Sequence, residues 1–265
     1  MTLIAGVVGW PIAHSLSPLL HGAWIKAAGL DARYEAFGAG DEPAFRRLVE
    51  EGRGGRLVGL NVTAPWKQLA LALADTASLT ARQCGSANFI GFAEERVVAT
   101  STDGLGLMAA LVEQAPGFDA RGAEVIVLGA GGAARAAVAM LVKDGARVGV
   151  MNRTRERAER LAQDLGAEVA DETALERAAL VVNALSVPPR IDVAALRSDA
   201  VLMDMTYRPL ETAFLAAGRA RGLTTVDGLA MLIGQAQPSF EMLFGVEPPA
   251  VDVRRLALEA LGEAA

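Results

Sequence analysis

The sequence holds a single cysteine, Cys84, and two histidines, His14 and His21, in 265 residues. An intrachain disulfide is therefore impossible, and a reducing compartment fits. Cys84 reads as a small buried hydrophobe. One cysteine and two histidines cannot furnish a usual zinc site, and no metal site is expected. A charged N-terminal segment followed by a long apolar stretch is missing, and no apolar run reaches membrane-spanning length. The expectation is a cytoplasmic protein with no membrane partner. Positive charge is not in excess either: 25 Lys and Arg stand against 31 Asp and Glu, for a formal net charge of −6. That argues against a nucleic-acid partner while leaving room for a local basic pocket that holds an anion. Internal repeats and low-complexity segments are also lacking. What remains is an ordinary globular composition, 52% hydrophobic and 21% charged, long enough for one large or two modest domains.

The most informative stretch is Glu124 to Arg135, EVIVLGAGGAAR. Its apolar, β-branched start reads as a strand buried on both faces. Gly129, Ala130, Gly131 and Gly132 follow, and Ala133 opens a run of strong helix formers, AARAAVAMLVK. A strand, a glycine turn and a helix together form a phosphate site, because the glycines admit a pyrophosphate to the free N–H groups of the helix. A glycine turn after a strand is also common where no nucleotide binds. The next apolar strand, from Arg147, ends in Asn152, Arg153 and Thr154, about twenty residues past the glycines. An acid there would favour NAD through the ribose 2′-hydroxyl, whereas Arg153 fits the 2′-phosphate of NADP. The alternative is a solvated basic helix start, which applies equally to Arg155 and Arg157.

Along the chain the pattern predicts strands at 3–9, 34–39 and 56–62. They alternate with helices entered at Ser17 (as N-cap, with Pro18 first in the helix), at Glu42 and at 66–74. That period implies a mainly parallel sheet with helices on its faces. Strands at 87–93 and 95–101 form a hairpin around Glu94 and Glu95, a helix starts near Leu105, and 116–123 is a linker. The second half reads as strands at 125–128, 147–152, 167–170, 179–184, 200–206 and 224–226. Helices are expected at 133–143, 155–164, 173–178, 210–221, 228–244 and 251–262. The fold class is α/β, with two β/α domains and a Rossmann-like second half on a parallel sheet.

The first half carries polar groups at strand ends, where open α/β sheets bind ligands. They are Ser15 with Ser17, Asn61-Val62-Thr63 with Lys67, Asn88, and Thr102-Asp103. Each has a local reading too: Ser17, Thr63 and Asp103 as helix caps, Asn88 as a turn former. Lys67 in a first helical turn runs against the helix dipole, a reason to look for another role.

Taken together, GWPIAHSLSP (9–18), NVTAPWK (61–67), STDGLG (101–106), GAGGAAR (129–135), NRT (152–154), DMTYRPLET (204–212) and DGLAMLIGQAQPSF (227–240) stand in the order expected of the shikimate dehydrogenase family. The chain resembles that family over nearly its whole length. The resemblance implies a cleft between a substrate domain, 1–103 plus about 236–265, and an NADP-binding Rossmann domain, 104–235. It implies reduction of 3-dehydroshikimate to shikimate with NADPH, in aromatic amino-acid biosynthesis, by a monomer or homodimer.

Carried over by the resemblance, Lys67 and Asp103 are the catalytic pair, and Ser15 and Ser17 bind the substrate carboxylate. Asn61, Thr63, Asn88, Asp103 and Gln235 surround the ring hydroxyls, with Tyr207 nearby. Gly129, Ala130, Gly131, Gly132 and Ala133 cradle the pyrophosphate, and Asn152, Arg153, Thr154 and Arg157 hold the 2′-phosphate. Ala184, Met205, Gly228 and Met231 flank the nicotinamide. The sequence departs from the family's usual pattern at Ser101 (usually Asn), at Phe89 after Asn88 (usually Thr), at Gly22, at Leu185 and at Trp66. A relative acting on quinate or another cyclic hydroxy acid is the alternative, as is a non-catalytic NADP-binding relative.

Overall fold

In the computed structural model, which describes residues 2–263, the first half of the chain builds ten elements. They are β1 (Leu3–Gly9), α1 (Ser17–Ala28), β2 (Ala32–Gly38), α2 (Glu42–Arg53), β3 (Gly59–Val62), α3 (Lys67–Ala72), β4 (Thr76–Ala77), α4 (Leu79–Cys84), β5 (Phe89–Ala93) and β6 (Arg96–Thr100). The sheet order is β2-β1-β3-β5-β6-β4. β1 runs parallel to β2 and β3. β5 lies antiparallel to both β3 and β6. The expectation of a mainly parallel sheet holds for the β1-β2, β1-β3 and β4-β6 pairs, and β5 runs against both of its neighbours. A two-residue connection at Glu94-Glu95 can only return the chain antiparallel. Beneath the sheet pack Phe45, Val49, Leu57, Leu60, Ala70, Ile90 and Val97.

Three local expectations change. Ser17 is not the N-cap of α1: Leu16 holds that place, already in helical conformation at φ −83 and ψ −9, with no side-chain cap bond. The Ser17 N–H is instead accepted by the Ser15 hydroxyl at 3.3 Å. The strand expected at 56–62 begins only at Gly59, because the chain is still turning after α2, where the Arg56 N–H bonds to the Glu51 carbonyl. β4 and α4 lie in a stretch the hydrophobic pattern left unassigned. α4 nevertheless carries ordinary signals, a Ser78 cap on the Ala81 N–H and Gly85 at φ 63 after its end.

The second half builds α5 (Asp103–Gln114), β7 (Glu124–Leu128), α6 (Gly132–Lys143), β8 (Arg147–Met151), α7 (Arg155–Leu165), β9 (Glu168–Val169), β10 (Leu180–Asn183), β11 (Val201–Asp204), α8 (Ala213–Ala220) and β12 (Thr224–Val226). A 3-10 segment covers Glu172–Arg177, where a short helix was expected. All pairs in this sheet are parallel. Its order, β9-β8-β7-β10-β11-β12, is that of a dinucleotide-binding Rossmann fold. β7 is buried on both faces, as its sequence implied. Val125 and Val127 pack with Ala134, Val138 and Leu161 on one side, and Ile126 and Leu128 with Leu175, Phe214 and Leu215 on the other.

α5 begins at Asp103, two residues earlier than expected. α8 begins three residues late because Thr212 caps it, accepting the Leu215 N–H while donating to Asp204 at 2.8 Å. The last helices are α9 (Gly228–Phe244) and α10 (Val253–Leu261). The chain divides into two compact units, Met1–Thr102 with Gln235–Ala265, and Asp103–Gly234. No helix among the described residues is long and apolar enough to cross a membrane.

Candidate active site

In the first unit the loops after β1 and β3 run side by side beyond the carboxyl ends of their strands. The Thr63 N–H bonds to the Val8 carbonyl at 2.9 Å and the Trp10 N–H to the Ala64 carbonyl at 3.0 Å. A Cβ on Gly9 would stand 2.3 Å from the Thr63 methyl, so only glycine lets the two loops approach this closely. One loop carries Ser15 and enters α1 at Ser17. The other carries Thr63 and enters α3 at Lys67, whose carbonyl accepts the Ala87 N–H at 2.9 Å. Thr63 does not cap α3; the residue before that helix is Trp66, with no side-chain cap bond. Trp66 anchors the loop, its indole N–H donating to the Ala39 carbonyl at 2.9 Å and its ring stacking on Phe45 at 5.6 Å.

Asn88 lies just before β5, and its carbonyl accepts the Val62 N–H at 2.7 Å. Its side chain joins a buried polar set. The Asn88 amide donates to the Thr102 hydroxyl at 2.9 Å and to Gln235 Oε1 at 3.2 Å, while its Oδ1 accepts the Thr102 N–H at 2.7 Å. Ser101, one residue earlier, is 6% exposed, and its hydroxyl has no hydrogen-bond partner among the described residues. Asn61 is also 6% exposed. It accepts from the Tyr34 phenol at 2.8 Å and donates to the Ser239 hydroxyl at 2.8 Å. His21 stacks on Tyr34 with centroids 4.0 Å apart, and burial pushes its pKa down to about 3. Burial raises the Tyr34 phenol well above its ordinary range, the nearby Ser17 opposing that shift. The first unit thus brings together the loops of Ser15, Ser17, Thr63 and Lys67 and the set of Asn61, Asn88 and Gln235. Sequence reasoning did not single out Tyr34 or Ser239 as parts of this set.

In the second unit the glycine turn sits between β7 and α6, tied to the end of β8 by the Gly129 N–H on the Met151 carbonyl at 2.8 Å. Gly129 has φ +118, and a Cβ on it would meet the Leu185 side chain at 3.2 Å. A Cβ on Gly131 would meet nothing within 4 Å, and no side chain caps the N-terminus of α6. This leaves open space before unbonded helical N–H groups, as a pyrophosphate requires. After β8, the Asn152 amide donates to the Thr154 carbonyl at 2.9 Å. Arg155 is occupied by Glu159 at 2.9 Å, whereas Arg153 and Arg157 are exposed with no ion pair among the described residues. Two unpaired guanidinium groups beside the glycine turn fit a phosphate dianion. Ala184 and Met205 follow β10 and β11, joined by the Met205 N–H on the Asn183 carbonyl at 3.0 Å. Gly228 packs directly on that segment: a Cβ there would stand 2.6 Å from the Met205 carbonyl. Met231 lies buried one turn further along α9. Tyr207 is partly buried in the loop after β11.

A six-stranded Rossmann sheet, an open glycine turn at a helix start and two exposed arginines after the second strand, with no ion pair among the described residues, define a nicotinamide-dinucleotide oxidoreductase. The comparisons with known proteins narrow this class. Residues 7–90 match the family described as "Shikimate dehydrogenase substrate binding domain", and residues 110–191 match "Shikimate / quinate 5-dehydrogenase". The chain belongs to the shikimate dehydrogenase family. It is 49% identical to the shikimate dehydrogenase (NADP(+)) of Caulobacter vibrioides, covering 98% of this chain and 96% of that one. Identity to the protein of the same name from Methylocella silvestris is 43%, over 97% and 95% of the two chains. The crystal structure of shikimate 5-dehydrogenase from Thermus thermophilus in complex with NADP(H) and shikimate superposes with a TM-score of 0.90. That likeness covers 98% of this chain and 100% of the other at 34% identity.

Proposed function

We propose that this protein is an NADP-dependent shikimate dehydrogenase that reduces 3-dehydroshikimate to shikimate, a cytoplasmic step of aromatic amino-acid biosynthesis. The observation that carries the reading is the polar set of the first unit. It comprises Ser15 and Ser17 at a helix entrance, where the Ser15 hydroxyl accepts the Ser17 N–H, and a buried amide pair, Asn88 and Gln235. Such a set matches a small ring bearing a carboxylate and several hydroxyls. The likeness to the Thermus thermophilus enzyme with NADP(H) and shikimate supports it.

In this reading Ser15 and Ser17 donate to the carboxylate, and neutral donors at a helix start suffice for that charge. Thr63, Asn61, Asn88 and Gln235 line the ring hydroxyls, with Tyr207 at their side. NADPH supplies the hydride when bound. Gly129 to Ala133 receive its pyrophosphate, Asn152, Arg153, Thr154 and Arg157 its 2′-phosphate, and Ala184, Met205, Gly228 and Met231 its nicotinamide end. Negative charge develops on the carbonyl oxygen during reduction. Lys67 stabilises that charge and delivers the proton. Asp103 holds the Lys67 ammonium and accepts from a ring hydroxyl. Asp103 directly follows Thr102, whose N–H is accepted by Asn88 Oδ1 at 2.7 Å.

The test is absorbance at the reduced-nicotinamide band with shikimate or quinate and NADP or NAD, in all four combinations, for the wild type and Lys67→Ala. Turnover with shikimate and NADP, reduced by about 100-fold or more in kcat by Lys67→Ala, is expected. Turnover mainly with quinate would instead support a second reading, another cyclic hydroxy acid. The unpartnered buried hydroxyl of Ser101 favours that reading. A near-normal kcat in Lys67→Ala would reject the acid/base pair.

A further inference from the structure

Lys67 opens a helix too short to hold itself. α3 spans six residues, Lys67–Ala72, and no side chain caps its N-terminus. A helix of that length gains too few internal bonds to offset the cost of starting it. Its first turn therefore stands where tertiary contacts put it. The Cα–Cβ bond of a helical residue tilts toward the N-terminus, so the direction in which the Lys67 side chain leaves the backbone follows the pose of that turn.

The turn is held from two sides. On one, the Lys67 carbonyl accepts the Ala87 N–H at 2.9 Å. On the other stands Trp66, fixed by backbone and side chain together. Its N–H bonds to the Thr63 carbonyl at 3.0 Å, and its carbonyl accepts the Ala70 N–H at 2.8 Å. Its indole N–H donates to the Ala39 carbonyl at 2.9 Å. Its ring lies over Phe45, with centroids 5.6 Å apart and planes inclined by 12°. Both supports are rigid. Phe45 is fully buried in the core beneath the sheet. Ala39 is fully buried too, and its N–H bonds to the Gly9 carbonyl at 3.1 Å, which fixes it to the end of β1. The stack alone would let the ring pivot, because apolar contact has no direction. The hydrogen bond has one, and it sets the rotation of the indole and of the backbone that carries it.

We propose that Trp66 is a positioning residue for the chemical step: its indole hydrogen bond to the Ala39 carbonyl fixes the first turn of α3 and so the place from which Lys67 reaches the reacting oxygen. The proposal rests on the acid/base reading of Lys67. Trp66 acts through Lys67 and not on the substrate. Proton transfer depends steeply on where the donor stands, whereas the carboxylate reading places Ser15 and Ser17 on a different loop. The effect therefore falls on the rate of the chemical step and leaves KM nearly alone.

The experiment is single-turnover oxidation of shikimate by NADP, followed at the reduced-nicotinamide band, with steady-state KM values and melting temperatures recorded for each protein. The proteins are wild type, Trp66→Phe, Trp66→His, Lys67→Ala and the double variant Trp66→Phe with Lys67→Ala. Trp66→Phe keeps an aromatic ring for Phe45 and removes the donor. Trp66→His gives up the outer half of the indole but keeps an N–H, because the histidine Nε2 stands at the same ring position as the indole nitrogen. Trp66→Phe is expected to lower the single-turnover rate roughly fivefold to fiftyfold, with less than about a threefold change in KM for shikimate or NADP. Trp66→His is expected to stay within about threefold of the wild-type rate even where its melting temperature is the lower of the two. In the Lys67→Ala background Trp66→Phe is expected to add less than about twofold, since its effect passes through Lys67. Equal losses in Trp66→Phe and Trp66→His, the same factor in both backgrounds, or a wild-type rate in Trp66→Phe while Lys67→Ala collapses, would each overturn the positioning role alone. A near-normal rate in Lys67→Ala would overturn the acid/base reading and the proposal with it.

Discussion

His21 sits among Trp24, Tyr34 and Phe240, fully buried, with neither ring nitrogen hydrogen-bonded among the described residues. Burial holds its pKa down to about 3, so the folded chain keeps the ring neutral. The unfolded chain takes up a proton below about pH 6.5, the ordinary histidine value. Above that pH both states are neutral and His21 has no effect on the pH dependence. Below it only the unfolded state binds the proton, and stability falls by about 1.4 kcal/mol per pH unit until the folded pKa is reached. Urea unfolding at pH 7 and pH 5 should therefore differ by about 2 kcal/mol more in the wild type than in His21→Leu. Equal differences in both would refute the assignment. The sequence showed His21 only as one of two histidines; that it is a neutral packing surface for Tyr34 became visible only when the three rings closed around it.

The turn between β5 and β6 shows how an element can be right in outline and strained in detail. Glu94 and Glu95 both take left-handed conformations, with φ 49 and 61, which a two-residue hairpin turn of this hand requires. Asn followed by Gly adopts that turn at much lower cost. Glu94→Asn with Glu95→Gly should raise the urea midpoint by the equivalent of about 1 kcal/mol, the relief being partly offset by the greater freedom of glycine in the unfolded chain. A lower midpoint would show that the glutamates make a compensating contact. The hairpin itself was legible, since two β-rich runs flank a two-residue gap. β4 was not. Thr76-Ala77 is too short for any periodicity, and it joins the sheet because the neighbouring Asp75 carboxylate accepts the Val97 N–H at 2.7 Å. That bond, together with Arg53, holds the Asp75 pKa below its usual range.

For the whole molecule, the cofactor preference is a property of the folded Rossmann unit and can be read as linkage. A ligand present at about 100 times its Kd stabilises the native state by about 2.7 kcal/mol. NADP should therefore raise the melting temperature at concentrations where NAD does not. Arg153→Ala should remove about 1 to 3 kcal/mol of NADP affinity while leaving NAD binding unchanged, as a charge-assisted contact to the 2′-phosphate requires. Equal losses for both cofactors would place Arg153 outside that contact.

The sequence by itself carried the features that are local in the chain. β7, the glycine turn and α6 are contiguous, and Arg153 follows at a spacing set by one helix and one strand, so neighbouring residues alone specify the phosphate site proposed there. The parallel order β9-β8-β7-β10-β11-β12 follows from alternating strands and helices joined by short, right-handed connections. Only the tertiary structure decided which distant polar groups meet. Asn88 reaches Gln235 across 147 residues and Asn61 reaches Ser239 across 178. No propensity or spacing encodes such pairs, because each residue taken alone is equally at home in a cap, a turn or a solvated face. They are selected by burial: once β3, β5, α1 and α9 pack, every enclosed donor and acceptor must find a partner or cost free energy. A lone tyrosine in β2, Tyr34, gave no sign that it would meet Asn61 until that condition was imposed on it.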